Sequence, residues 1–463
     1  MSTSFTFTCI TVFFSFFLSF NNYAKGDLIP SPTCKRTSIQ GGVNRKASLE
    51  LVHIDGPCSH IKRDNVDNEN NFTRDYERVK YIQSRISKNN SFNDLDSFTT
   101  IPTNPGPPLS TLNYIIDIRL GTPEKTLQMV FDTGSHLTWT QCYQCKSCYK
   151  QANARFNPLN SSTYEASDCL DDTCEELISS GQGLSCSKNV HLCHYRIYYG
   201  DRSSSRGFFG KDRLALYSNL YPTKPGITDE FYFGCGILMK GNFGRTAGIF
   251  GLGRGELSFM SQTSSQYMET FSYCIPNIDN VGYITFGPDP DADRDERIQY
   301  TPLVNPQAGL SHYALNITGI AIDGDILMGL DFNQIDHGGF IIDSGCVLTR
   351  LPPSIYAKLR SVYQQRMSYY PSAPKYIPFD TCYDLSGFHY PIPEMSFVFP
   401  GVTVDLPREA TFHEIKPKQY CLAFMPNEYD SQTSIFGNLQ QKTLEIVHDN
   451  LGNKVGFRPN GCG

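Results

Sequence analysis

Two hydrophobic patterns run along the 463-residue chain, and they change over near residue 110. From about Lys25 to Pro108 polar residues dominate, with charge runs such as Lys62-Arg63-Asp64. Within that region Ser48-Leu49-Glu50-Leu51-Val52-His53 alternates with period two, as an edge strand does. Arg74 to Ser87 carries Tyr76, Val79, Ile82 and Ile86 at helical spacing. A strand and a helix ahead of a Pro/Ser/Thr-rich linker, which runs from Thr99 to Ser110, predict a removable prosegment.

Beyond the linker, strand patterns take over. Tyr114 to Leu120 reads as a strand, the chain turns at Gly121-Thr122-Pro123, and Leu127 to Phe131 begins the strand that feeds Asp132. The apolar run Met129-Val130-Phe131 thus ends in a carboxylate on a tight turn, Asp132-Thr133-Gly134-Ser135. The same order returns 343 − 132 = 211 residues later as Phe340-Ile341-Ile342-Asp343-Ser344-Gly345-Cys346. A second echo follows each acid: Ala247-Gly248-Ile249-Phe250-Gly251-Leu252-Gly253 and Thr433-Ser434-Ile435-Phe436-Gly437-Asn438. Two repeated pairs in one order predict a duplicated fold that brings two carboxylates together. The Gly-rich copy has neither the G-x-G-x-x-G spacing nor a P-loop lysine, which excludes a nucleotide loop. Tyr198-Tyr199-Gly200-Asp201-Arg202-Ser203 lies between alternating segments, as a hairpin tip would.

Composition sharpens this to an all-β class. Thirteen per cent aromatics, with 37 Gly and 28 Pro as punctuation, favour many short strands joined by turns over long helices. The length allows two or three domains, each with its own core. A net charge of −6 gives no electrostatic reason to expect nucleic acid or an anionic membrane as partner.

Sixteen cysteines spread along the whole chain point to an oxidising compartment. Cys142, Cys145 and Cys148 form a Cys-x-x-Cys-x-x-Cys run followed by Cys169, Cys174, Cys186 and Cys193; without a paired histidine spacing, disulfides explain it better than zinc. Cys9 to Phe20 has the length of a signal-peptide apolar core, too short for a good membrane span, and residues 1–24 are read as a signal cleaved after Ala24. Asn71, Asn89, Asn160 and Asn316 begin glycosylation sequons that matter only on the secretory route.

These residues together resemble the pepsin-like aspartic proteases, and among them the plant branch that includes nepenthesins and the chloroplast-nucleoid DNA-binding protease group. The prosegment stretch ASLELVHIDGPCSH and the blocks FDTGSHLTWTQC, YGDRS, FGCG, GIFGLGRGELSFMSQ, FSYC, DTCYDLS and IFGNLQQKTLEIVHD are similar to family blocks in family order. The resemblance implies a bilobal, mainly β fold with short helices and the cleft between the lobes. It divides the chain into a propeptide over 25–108, an N-terminal lobe over 109–295 and a C-terminal lobe over 296–463. Asp132 and Asp343 would be the catalytic pair, supported by Thr133, Gly134 and Ser135 on one side and Ser344, Gly345 and Cys346 on the other. Thr133 and Ser344 would lock the loops together, Tyr199 and Gly200 would belong to the flap, and Trp139 would hydrogen-bond the flap tyrosine. No cofactor and no metal are implied.

Thirteen cysteines remain once Cys9, Cys34 and Cys58 are set aside, whereas the plant branch resembles a twelve-cysteine framework of six bridges. The twelve are Cys142, Cys145, Cys148, Cys169, Cys174, Cys186, Cys193, Cys235, Cys274, Cys382, Cys421 and Cys462, with Cys382 to Cys421 one guessed pair. The odd one is Cys346, where the family has Thr or Ser donating to its aspartate; a thiol is larger and a weak donor, so a reduced rate is expected. Arg202 stands at a flap-tip position where many relatives carry Gly.

The expected function is that of a secreted, monomeric, acid-acting endopeptidase on protein or peptide substrates, with chloroplast or vacuole as alternative destinations. Neither nucleic acid nor, after signal removal, a membrane is an expected partner. A weakened protease-like protein that binds or inhibits a protein partner is the competing reading. DNA binding by analogy with the chloroplast group would rest on fold alone, and the acidic composition counts against it.

Overall fold

The computed structural model describes residues 33–35, 47–61, 75–84, 114–184, 186, 191–199, 203–217, 225–241, 243–289, 295–304, 312–327, 339–386 and 391–461. The signal, the linker after residue 84, Asn71, Asn89, Gly200, Arg202 and Cys462 lie outside them. Asn160 and Asn316 are both exposed.

The fold is mainly β with few short helices, as the punctuated strand pattern implies. Each acid loop is built the same way. Lys125–Asp132 runs parallel to Gly248–Gly251, with Asp132 opposite Gly251. In the second half Phe340–Ile342 runs parallel to Ser434–Phe436. The two sequence echoes are therefore strand partners, which explains why they recur as a set.

Short crossing strands complete the symmetry: Trp139–Gln141 lies antiparallel to Gly248–Gly251, and Thr349–Leu351 antiparallel to Ser434–Phe436. Phe131, Phe250, Phe340 and Phe436 are fully buried behind the loops. Each such side chain contributes roughly 1.5–3 kcal/mol on leaving water, so the acids sit on a stiff floor.

An antiparallel sheet joins the halves. Ala47–His53 pairs with Val281–Phe286, then come Thr270–Cys274, Glu445–Asp449, Lys454–Arg458 and Gln299–Val304. Ala47–His53 is not an edge strand as its alternation suggests, because Val52 and His53 also pair with Ile115 and Tyr114. The alternation nonetheless places Leu49 and Leu51 on the face that packs into the main core.

Not every strand is short. Ser204–Leu216 and Gly226–Lys240 form a 13- and 15-residue antiparallel pair that carries the flap hairpin. Pro353–Arg366 is a 14-residue helix, whose Ile355, Tyr356, Leu359 and Tyr363 are buried.

Candidate active site

Asp132 and Asp343 leave their strands at the same depth, 1% and 0% exposed. The loops bond each other reciprocally: the Thr133 amide donates to Ser344 Oγ at 3.0 Å, and the Ser344 amide to Thr133 Oγ1 at 2.9 Å. The Gly134 amide donates to Asp132 Oδ1 at 3.0 Å and the Gly345 amide to Asp343 Oδ1 at 2.8 Å. Glycine is needed for close approach, since a Cβ on Gly134 would stand 2.8 Å from Asp343 Oδ1 and one on Gly345 2.6 Å from Asp132 Oδ1.

The outer oxygens differ. Ser135 Oγ donates to Asp132 Oδ2 at 2.5 Å, while the Cys346 thiol donates to Asp343 Oδ2 at 3.0 Å. Cys346 is a free, buried cysteine, and burial followed by the neighbouring Asp343 pushes its thiol well above the usual range, so it stays protonated. A protonated thiol keeps the donor that the position needs, at a weaker strength than a hydroxyl.

The flap hairpin joins His194–Tyr198 to Ser204–Leu216 and closes with the Tyr199 amide donating to the Ser203 carbonyl at 2.9 Å. Trp139 Nε1 donates to the Tyr199 hydroxyl at 2.6 Å, and Phe243 packs edge-on against both rings. Burial holds the Tyr199 phenol neutral.

Six bridges are described in full: Cys34–Cys58, Cys142–Cys235, Cys145–Cys148, Cys169–Cys186, Cys174–Cys193 and Cys382–Cys421. Cys274 is also disulfide-bonded. Cys34 and Cys58, set aside in the sequence count, pair with each other. Cys169, Cys174 and Cys186 gather within 4.8 Å but are consumed in these bridges.

Sequence reasoning missed the residue that dominates the site. A helix over residues 75–84 crosses the cleft and inserts Arg78 between the acids. Its Nη2 donates to Asp132 Oδ1 at 2.7 Å and to Asp343 Oδ1 at 2.8 Å; Nη1 reaches Asp132 Oδ2 at 3.1 Å and Nε reaches Asp343 Oδ2 at 3.0 Å. Burial alone would raise the Asp343 carboxyl, but Arg78, the Cys346 thiol and the Gly345 amide together hold it below the usual carboxylate range.

The helix is fastened to the second half of the molecule. Asp75 Oδ1 accepts from the Val347 amide at 2.5 Å, Gln83 exchanges two hydrogen bonds with the Thr433 backbone at 2.6 and 3.0 Å, and Val79 and Ile82 pack against Ala314, Ile341, Cys346 and Ile435. Tyr76, read from its spacing as part of the apolar face, is instead exposed and donates to Glu428 Oε1 at 2.6 Å. Arg78 stands among other cations of the same segment, Arg74, Lys80 and Arg85, so nothing local in the sequence sets it apart.

Two β-rich halves with reciprocal Asp loops and a tyrosine flap define the fold of the pepsin-like aspartic proteases. Residues 114–288 match the family described as xylanase inhibitor N-terminal, and residues 312–459 the xylanase inhibitor C-terminal family. The chain is 42% identical over 427 residues to aspartyl protease AED1 of Arabidopsis thaliana, covering 90% of this chain and 87% of that one. It is 29% identical to aspartic proteinase nepenthesin-2 of Nepenthes gracilis over 76% of this chain and 78% of the relative. Basic 7S globulin from soybean shares the fold at a TM-score of 0.60 and 21% identity, with 75% of this chain and 91% of that chain covered. The chain belongs to the plant atypical branch of the pepsin-like aspartic protease family.

Proposed function

We propose that this chain is the zymogen of an acid-acting aspartic endopeptidase that hydrolyses protein substrates through a water activated by Asp132 and Asp343. The observation that carries this reading is the intact pair of acid loops, each carboxylate oriented by its own glycine amide and the two loops bonded reciprocally. Two carboxylates this close share one proton, a behaviour general to aspartic-protease dyads: one acts as acid while the other polarises the attacking water. Maximal activity falls at roughly pH 3 to 5.

Arg78 supplies the zymogen block, filling the place of the water and substrate carbonyl with a guanidinium bonded to all four carboxylate oxygens. Its departure leaves two adjacent carboxylates that must take up a proton, so release strengthens by up to about tenfold per pH unit as the solution acidifies. Asp343 carries the sign: its lowered value strengthens docking above that value, and the gain is lost as pH falls through it. Asp75 works the other way, because burial, only partly offset by Arg350, raises it and favours its docked, protonated form in acid.

The same reading makes the mature protein a secreted monomer, supported by its disulfides, with chloroplast or vacuole as alternative destinations. The competing reading, a weakened relative that binds a protein partner, rests on Cys346. The test is digestion of a denatured protein by purified, acid-incubated chain. Hydrolysis that stops with a pepstatin-like transition-state mimic, and is nearly abolished by Asp132→Asn and by Asp343→Asn, supports the protease. Substantial cleavage in either variant places the chemistry elsewhere, and absence of cleavage in the unmodified protein favours the binding role.

A further inference from the structure

The described prosegment residues ahead of the Arg78 helix form a cap on the first half of the molecule. Its strand, Ala47–His53, meets Val281–Phe286 over six residue pairs, from Ala47 opposite Phe286 to Val52 opposite Val281. Inside that ladder Ser48 and Thr285 share a buried hydroxyl hydrogen bond of 2.9 Å. Beyond the strand the chain turns twice, the Gly56 amide donating to the His53 carbonyl at 2.9 Å and the Ser59 amide to the Gly56 carbonyl at 3.0 Å. Gly56 lies so near the Ile278 carbonyl that a Cβ would overlap it. Ile54, Cys58 and Ile61 are buried with Val52 against Ile115 and Val281. The Cys34–Cys58 disulfide closes the cap, and the Lys35 amide donates to the Asp279 carbonyl at 2.8 Å.

A cut in the linker creates no successor for this strand. Val52 and His53 also face Ile115 and Tyr114, so a new strand from just ahead of Tyr114 would have to turn back through a hairpin loop of about two to five residues. Any such loop drops Pro105, Pro107 and Pro108 into the ladder. Pro105 and Pro107 withhold donors from one neighbouring strand and Pro108 from the other, so pairing with Val281–Phe286 fails in either register. A cut close to Ser110 leaves only residues 111–113, too few to turn and fill the ladder. Acid does not undo the cap either, since neither the backbone ladder nor the face of Leu49 and Leu51 titrates. The charged groups at the seam include Lys35 with Asp279, His60 beside Asp117, and Glu50, His53 and Asp55 of the cap itself. The Lys35 side chain is 63% exposed, so its ion pair carries little of the hold.

We propose that the surface made by Val281–Phe286, Ile115 and the backbone from Ile278 to Asp279 holds the segment from Cys34 to Ile61 as a separate chain after the linker is cut, so that the active form is a two-chain assembly. The helix that carries Arg78 stays joined to this cap through residues 62–74. Its concentration at the cleft therefore outlasts the cut, and neutralisation returns Arg78 to the two acids. This return rests on the zymogen reading above; retention of the cap does not.

The experiment uses the full-length protein with a recognition sequence for a site-specific endopeptidase inserted after Thr99, and a second form with another inserted after Asn68. Each is cut at neutral pH, so the result does not depend on self-activation, and is passed over a sizing column at about pH 4.5 and about pH 7, with the chains of each peak identified by denaturing mass. The cap fragment should elute with the two halves at both pH values, while in the doubly cut form the fragment with Arg78 separates in acid. A cap fragment that elutes apart at either pH, whether or not the remainder stays folded, overturns the two-chain assembly. Leu51→Ala leaves the backbone ladder intact and should release the cap of the doubly cut form at a lower urea concentration; should it fail to fold, Ile54→Val takes its place, and an unshifted release overturns the assigned surface. After exposure to acid, the singly cut form should release a bound pepstatin-like mimic on neutralisation and the doubly cut form should keep it; equal behaviour overturns the tether. If neither form binds the mimic in acid, the hydrolytic reading fails, and elution alone decides the cap.

Discussion

On the zymogen proposal, Arg78→Ala should let the chain activate without strong acid. The Arg78 side chain is 19% exposed and bonds two carboxylates exposed by 1% and 0%. Removing one partner of such a buried pair costs about 3 kcal/mol or more, slightly over a hundredfold in the balance between docked and released helix. Release strengthens by about one decade per pH unit, so a hundredfold change moves half-activation upward by about two pH units. The profile should also flatten, because the dyad of the variant takes up its shared proton before the helix leaves. Arg78→Lys keeps the charge but loses the planar fork, and should fall between the two. The assay is a series of incubations from pH 3 to 7, each read by the intact mass of the chain and by hydrolysis of a quenched fluorescent peptide. An Arg78→Ala protein that folds and activates at the same pH as the unmodified chain would refute the block.

Cys346→Thr should raise kcat severalfold with little change in KM, since the hydroxyl strengthens the bond to Asp343 Oδ2 and does not touch substrate; no gain would show that the position serves packing alone. Acid-incubated protein should lose a segment ending in the Thr99 to Ser110 linker, and an intact mass that still includes 25–108 after prolonged incubation in acid would rule out its removal. His448→Phe should stabilise the protein in acid. Buried between Phe271 and Tyr313, with no hydrogen-bond partner described for either ring nitrogen, the imidazole is pushed down to about 3 by burial and then by Arg254. Its neutral form is favoured in the fold, so stability present above the ordinary histidine range is lost as pH falls, by about 3 kcal/mol at pH 4. Urea midpoints of the two proteins should diverge below pH 6, and parallel curves would refute the assignment.

The acid loops were legible because their chemistry is local. An apolar strand, an acid, a hydroxyl residue and a glycine must follow in order for the glycine amide to reach its own carboxylate, and the order can be read without knowing what lies opposite. Repetition of the echoes pointed to a duplicated fold, but that the two members of each set lie side by side as parallel strands is visible only in the structure. Arg78 was not legible, because its role depends on where its helix docks, and nothing in Asp75 to Gln83 names Val347 or Thr433 as partners. The two-sided pairing of Ala47–His53 escaped for the same reason: alternation reports which face is buried and does not report how many neighbours a strand has.

The region preceding the lobes is held in two places of different character. Its strand Ala47–His53 is bonded along its length to Val281–Phe286, close to the first acid's half, whereas its helix is bonded to Val347 and Thr433 in the second. Among the described contacts, only Arg78 links that helix to Asp132. Acid acts on the charge contacts at Arg78 and leaves the backbone ladder of the strand untouched, since amide hydrogen bonds do not titrate between pH 3 and 7. On the zymogen proposal, opening the cleft and severing the prosegment are therefore separable events, the first set by protons and the second by cutting the linker. Departure of the strand would strip Val281–Phe286 of one ladder, which has to be offset by a replacement strand or by water. A chain whose linker is made uncleavable should on this reasoning open reversibly with pH, binding a transition-state mimic in acid and releasing it on neutralisation. Binding that persists after return to neutral pH would show that strand and helix leave together.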